Sequence, residues 1–243
     1  MPLRIGFDLD GVLADMELAL VREARTLFGM RQTTPKGEEP QTPHAVMSDL
    51  VPSDVAENAP LRHEMHLTTR QRRQLWRHVS AIDGFWESLE EIEPGSVARL
   101  AALATERRWE IIFLTRRPRT AGATAQVQSQ RWLECKGFRL PSVYVVTASR
   151  GLIASGLTLD IVVDDTPENC VDVASDSKAR TIAIFRNQEP PPPFLQAMGI
   201  HLVRSTEECL KLLVDIDVSL EHKAEGALER VMRTLGLKQS ASA

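Results

Sequence analysis

Residues 5–15 read IGFDLDGVLAD. Ile5, Gly6 and Phe7 begin as a buried strand would, and then two carboxylates, Asp8 and Asp10, flank Leu9 with Gly11 behind them. Two unpaired acids at a strand end repel one another and lose hydration, so the pattern calls for a partner. A divalent cation supplies one, and Mg²⁺ prefers a few carboxylates together with waters and substrate phosphate oxygens. Gly11 lets the backbone turn tightly and approach a ligand. A plain turn with solvated acids is the alternative for an isolated Asp-x-Asp-Gly.

Later segments favour the cation. Leu3–Phe7, WEIIFLT (109–115), VYVVT (143–147), DIVVDD (160–165) and TIAIF (181–185) are continuous apolar runs, as in strands covered on both faces. Helical stretches near 96–107, 120–136 and 167–177 alternate with them. The predicted fold is α/β: a Rossmann-like, mostly parallel sheet with helices on both faces. Ligands of such sheets bind at the carboxyl ends of strands, where Asp8, Thr115, Asp164 and Asp165 fall. Compatible residues ending several strands in order argue against a mere turn.

The stretch between the first strand and WEIIFLT is too long for one crossover helix. Residues 16–88 are therefore read as a mainly helical cap inserted after the first strand, with helices over Met16–Gly29 and Thr68–Val79. Five prolines between 30 and 60 (Pro35, Pro40, Pro43, Pro52, Pro60) mark loops. The core is then 1–15 and 89–215. Residues 216–243 form an amphipathic helix and tail, with a stripe from Leu220 to Leu235 that packs on its own core or on a partner. EPPPP (189–193) reads as a stiff turn.

Composition narrows the function. The chain has 243 residues, 43% hydrophobic and 26% charged, with a formal net charge of −4, so no general basic field draws it to nucleic acid or membrane. No apolar run reaches membrane-spanning length, and the chain opens directly on a strand, so no signal peptide is expected. Cys135, Cys170 and Cys209 form no CxxC pattern, which suits free thiols in a reducing, cytoplasmic setting.

On these residues the chain resembles the haloacid dehalogenase superfamily of aspartate-nucleophile phosphatases. FDLDGVLAD matches its first motif, Thr115 the hydroxyl of the second, Arg150 in TASRG the cation of the third, and Asp164–Asp165 the acidic fourth. The resemblance implies Asp8 as nucleophile and Asp10 as the acid that protonates the leaving oxygen and then activates water. It implies Thr115 as a donor to the phosphoryl group and Arg150 as its counter-charge. It also implies Mg²⁺ held by Asp8, the Asp10 carbonyl and Asp165 directly, with Asp164 ligating or acting through water. Asp10 favours phosphate chemistry, because a departing halide needs no proton and dehalogenase relatives lack the second aspartate.

GFWESLEEIEPGSVARL (84–100) and DDTPENC resemble stretches of 5′(3′)-deoxyribonucleotidases. The resemblance implies a nucleoside monophosphate, with Trp76, Phe85 or Trp86 stacking on the base; each of these is otherwise lid core. The chain departs from that branch in TRRP, where Arg116 and Arg117 either bind an extra anionic group or are solvated, and in having Arg150 for the commoner Lys. HEMH (63–66) lacks the spacing of a zinc helix. RQRRQLWRH (70–78) reads as a solvated helix face. The expected partner is a small phosphorylated metabolite, with neither nucleic acid nor membrane, for a monomer or homodimer. The alternatives are a phosphatase for another small phosphate, such as a sugar phosphate, or a catalytically silent phosphate-binding module.

Overall fold

The computed structural model describes residues 2–29, 67–186 and 191–234, with side chains described as far as residue 222. The Pro-rich segment, HEMH and the end of the C-terminal stripe lie outside the described residues.

Six strands form one sheet in the order β3-β2-β1-β4-β5-β6. They are β1 (Arg4–Asp8), β2 (Glu110–Thr115), β3 (Ser142–Val145), β4 (Ile161–Asp164), β5 (Arg180–Ile184) and β6 (His201–Val203). Every pairing is parallel. The apolar runs place side chains alternately on two faces. Ile5, Phe7, Ile111, Phe113, Ile161 and Val163 join the larger core. Ile112, Leu114 and Val162 join a second core on the other face. Both faces of β1, β2, β4 and β5 are therefore covered, which explains why these strands read as continuous rather than alternating runs, whereas β3, from the VYVVT run, lies at the sheet edge and buries only Val143.

The helices are α1 (Met16–Phe28), α2 (Thr69–Ser80), α3 (Ser96–Arg107), α4 (Ala125–Cys135), α5 (Arg150–Gly156), α6 (Pro167–Asp176), α7 (Pro193–Ala197) and α8 (Thr206–Thr234), with a 3₁₀ turn at Phe85–Glu87. Local chemistry sets their starts. Asp15 accepts the Leu18 amide at 2.9 Å, and Thr68 and Gln71 form a capping box. Leu20 and Ala24 of α1 and Leu75 and Val79 of α2 are buried in the larger core.

The last helix differs from the expectation. It begins at Thr206, ten residues before the 216–243 segment, and its Cys209, Leu210, Leu213 and Ile216 pack into the larger core. That part of the helix is core of this chain. The three cysteines are free thiols. No helix among the described residues is long and apolar enough to cross a membrane.

Candidate active site

The strand order turns at β1, which pairs with β2 on one side and β4 on the other, so the chain reverses its direction of winding there. Such a point opens a crevice at the carboxyl ends of the strands. Register brings the ends level: Asp8 lies opposite Leu114, and Phe7 opposite Val163, so Asp8, Thr115 and Asp164 end three neighbouring strands together.

Past Asp8 the chain folds into a tight loop. The Leu13 and Ala14 amides donate to the Leu9 carbonyl at 2.9 and 2.7 Å, and the Gly11 amide donates to the Ala14 carbonyl at 3.0 Å. Gly11 takes φ +84°, and a Cβ there would stand 2.0 Å from Asp165 Oδ2. The glycine is required twice, by conformation and by the carboxylate against it.

The two carboxylates of the loop have different surroundings. Asp8 is buried and accepts a close hydrogen bond from Arg150 Nη2. Arg150 Nε lies 3.5 Å from Asp164 Oδ2, so one guanidinium spans two acids. Burial, then the Asp164 charge, push the Asp8 carboxyl well above the usual range against the pull of Arg150. Burial also raises Asp164, opposed by Arg150, by the Thr166 amide at 2.9 Å and by Asn169 Nδ2 at 3.0–3.1 Å. Burial and the neighbouring acids push the Cys170 thiol up as well.

Asp10 has other partners. Thr115 Oγ1 donates to its Oδ2 at 3.1 Å, and Arg117 Nε and Nη2 donate to its two oxygens at 2.8–3.1 Å.

Arg150 opens α5 at a close crossing with α6. A Cβ on Gly151 would stand 2.2 Å from the Asp172 carbonyl. A backbone atom cannot swing aside, so only glycine lets α5 sit deep enough to carry Arg150 to Asp8.

The predicted residues Asp8, Asp10, Thr115, Arg150, Asp164 and Asp165 thus gather at one sheet edge, with three differences. The Thr115 hydroxyl is given to Asp10. Arg117 is neither solvated nor open to an outside anion, because it is buried against Asp10. Phe85 and Trp86 are core residues, 2% and 0% exposed and packed edge to face at 4.9 Å, so neither offers a face to a base. Trp76 is partly buried against the core, and Arg116 reaches the Ala148 carbonyl at 3.5 Å.

Sequence reasoning also missed a network behind the loop. Arg186 donates to the Gly11 and Val12 carbonyls at 2.5 and 3.2 Å, to Thr206 Oγ1 at 2.8 Å and to Glu93 at 2.9 Å. Glu93 also accepts the Thr206 and Glu207 amides at the start of α8. Burial would raise the Glu93 carboxyl, but these hydrogen bonds outweigh it and hold it below the usual range. The three residues come from separate segments and carry no local signature.

Among the described residues no group of three or more His, Cys, Asp or Glu is already closed at metal-ligating spacing. The donor chemistry still suits Mg²⁺. Asp8, Asp164 and Asp165 crowd one edge, and that crowding helps raise Asp8, a shift that a divalent cation would reverse.

No family model matches this chain, and no curated protein matches it. Solved structures do resemble it. A provisionally assigned beta-phosphoglucomutase from Thermotoga maritima shares 17% identity at TM-score 0.53, covering 88% of this chain and 99% of that one. A HAD family hydrolase from Deinococcus radiodurans R1, with bound phosphate and sodium, shares 14% at TM-score 0.53, covering 88% and 96%. A hydrolase from Pseudomonas syringae shares 16% at TM-score 0.50, covering 89% and 99%. The chain has the fold of the haloacid dehalogenase hydrolases.

Proposed function

We propose that this chain is a haloacid dehalogenase-type phosphomonoesterase that works through an aspartyl-phosphate on Asp8. The observation that carries the reading is the unlike environment of two carboxylates separated by a single residue. Asp8 sits against Arg150 and two further acids, whereas Asp10 is held by Thr115 and Arg117. Paired acids in divided surroundings suit a nucleophile and an acid/base.

In this reading Asp8 attacks phosphorus and the ester oxygen leaves with a proton from Asp10. Asp10 then takes a proton from the water that releases phosphate. Arg150 Nη1 is buried without a hydrogen-bond partner, which supports an oxygen of the substrate as its acceptor. Asp8, Asp164 and Asp165 would hold Mg²⁺, which supplies charge stabilisation for the phosphoryl group and keeps Asp8 ionised.

The substrate is a small phosphate ester. A nucleoside monophosphate is supported by the sequence resemblance. A sugar phosphate fits as well, because the core positions of Phe85 and Trp86 leave Trp76 alone among the candidate stacking rings. The similarity to the beta-phosphoglucomutase structure is in keeping with that second reading.

The test is phosphate release from nucleoside monophosphates, sugar phosphates and p-nitrophenyl phosphate, each with Mg²⁺ and with chelator. Turnover that chelator stops and Mg²⁺ restores is expected. Turnover indifferent to chelator would remove the metal, and a folded protein inert toward the whole panel would leave the silent binding module.

A further inference from the structure

Arg117 has no task in the scheme above, yet it is more completely buried than the acid it touches: its side chain is 0% exposed and that of Asp10 13%. A buried ion pair is weak evidence for stability, since apolar residues of like volume often do as well. Its surroundings are specific. Nε and Nη2 fork across both oxygens of Asp10, and Nη1 donates to Ser129 Oγ at 2.9 Å, which in turn donates to the Ala125 carbonyl in the first turn of α4 at 2.7 Å.

Two indoles enclose the guanidinium, with centroids 5.0 Å (Trp86) and 5.8 Å (Trp132) from its central carbon. Both rings are pinned by their own N–H groups, Trp86 to the Pro118 carbonyl at 3.0 Å and Trp132 to the Leu89 carbonyl at 2.7 Å. A guanidinium so fixed leaves the Asp10 carboxylate little freedom to rotate. The Thr115 hydroxyl pins its second oxygen.

We infer that Arg117 is the positioning residue for Asp10, acting on the reaction only through that carboxylate and holding it on a frame built from α4 and the Phe85–Glu87 turn. The inference rests on the phosphatase reading, in which Asp10 carries the proton. An acid/base must come within about 3 Å of the leaving oxygen, and a misplacement of about 1 Å costs on the order of 100-fold in rate.

The test is a double-mutant cycle on kcat/KM, which ends at release of the alcohol and so leaves out the shared water step, with two esters, phenyl phosphate and p-nitrophenyl phosphate, whose better leaving group has less need of a proton. Arg117→Met is expected to lower kcat/KM about 100-fold on phenyl phosphate and less on p-nitrophenyl phosphate. Added to Asp10→Asn, it should cost nothing further, because the group it positions is gone. Arg117→Lys keeps the charge but loses the fork, so it should restore thermal stability without restoring the rate on phenyl phosphate. If the Met variant does not fold, the Lys variant runs the same cycle. Equal losses with and without the Asp10 carboxylate, or on both esters alike, would overturn the positioning role while leaving the phosphatase reading intact. An unsubstituted protein that is folded and releases phosphate from neither ester would overturn both.

Discussion

Asp8→Asn is expected to lower phosphomonoester turnover by at least about a thousand-fold, the scale on which removing an enzyme's nucleophile acts. Asn has nearly the shape of Asp but cannot attack phosphorus. The fold should survive. The charged form of Asp8 is already disfavoured by its burial and by Asp164, Asp165 and Asp10, so a neutral isostere relieves repulsion even as it weakens the bond to Arg150. Steady-state rates and a urea unfolding midpoint, measured on the same preparation, check both halves. A variant that retains turnover would remove Asp8 from the role. A variant that is inactive because it is unfolded would not support the role.

The second large effect is expected from Arg150→Met. The side chain is 2% exposed and lies between Asp8 and Asp164, which are 9% and 1% exposed. Taking the cation away leaves crowded acids without their counter-charge, and breaking a buried pair in this way costs about 3–5 kcal/mol. Turnover should fall with it, because the guanidinium beside Asp8 is also the proposed partner of the phosphoryl oxygens. Arg150→Lys keeps one charge but cannot span both carboxylates, so it should recover part of the stability and less of the rate. Urea unfolding of the three proteins without added metal reads the effect. A Met variant within about 1 kcal/mol of the unsubstituted protein would mean that Arg150 does not neutralise the cluster.

The central strands were legible because each is a continuous apolar run, and burial on both faces is what makes it so. β6 was not, since three residues with only Val203 buried give no period to read. The start of α8 was legible in principle. Ser205 accepts the Glu208 amide at 3.0 Å and Glu208 accepts the Arg204 amide at 2.7 Å, a helix-start signature that the apolar stripe further along obscured.

At the site, Asp8 and Asp164 could be read because each ends a strand, where position follows from the sheet, and Asp10 and Asp165 follow within two residues. Arg116 and Arg117 could not be told apart, because they follow β2 in a loop where no periodicity assigns direction. Which of them turns inward is decided by Trp86 and Trp132, contributed by other segments. The same holds for Phe85 and Trp86. An aromatic pair in a loop-rich stretch reads equally well as a stacking platform or as core, and only packing decides.

The central claim is the covalent intermediate, and the direct measurement is mass spectrometry of the protein quenched in acid within milliseconds of mixing with p-nitrophenyl phosphate and Mg²⁺. The peptide spanning residues 5–15 should carry the mass of one phosphoryl group, with the label on Asp8 and absent from Asp8→Asn. Phosphate released at full rate while that peptide stays unlabelled, or a label on another residue, would contradict the account.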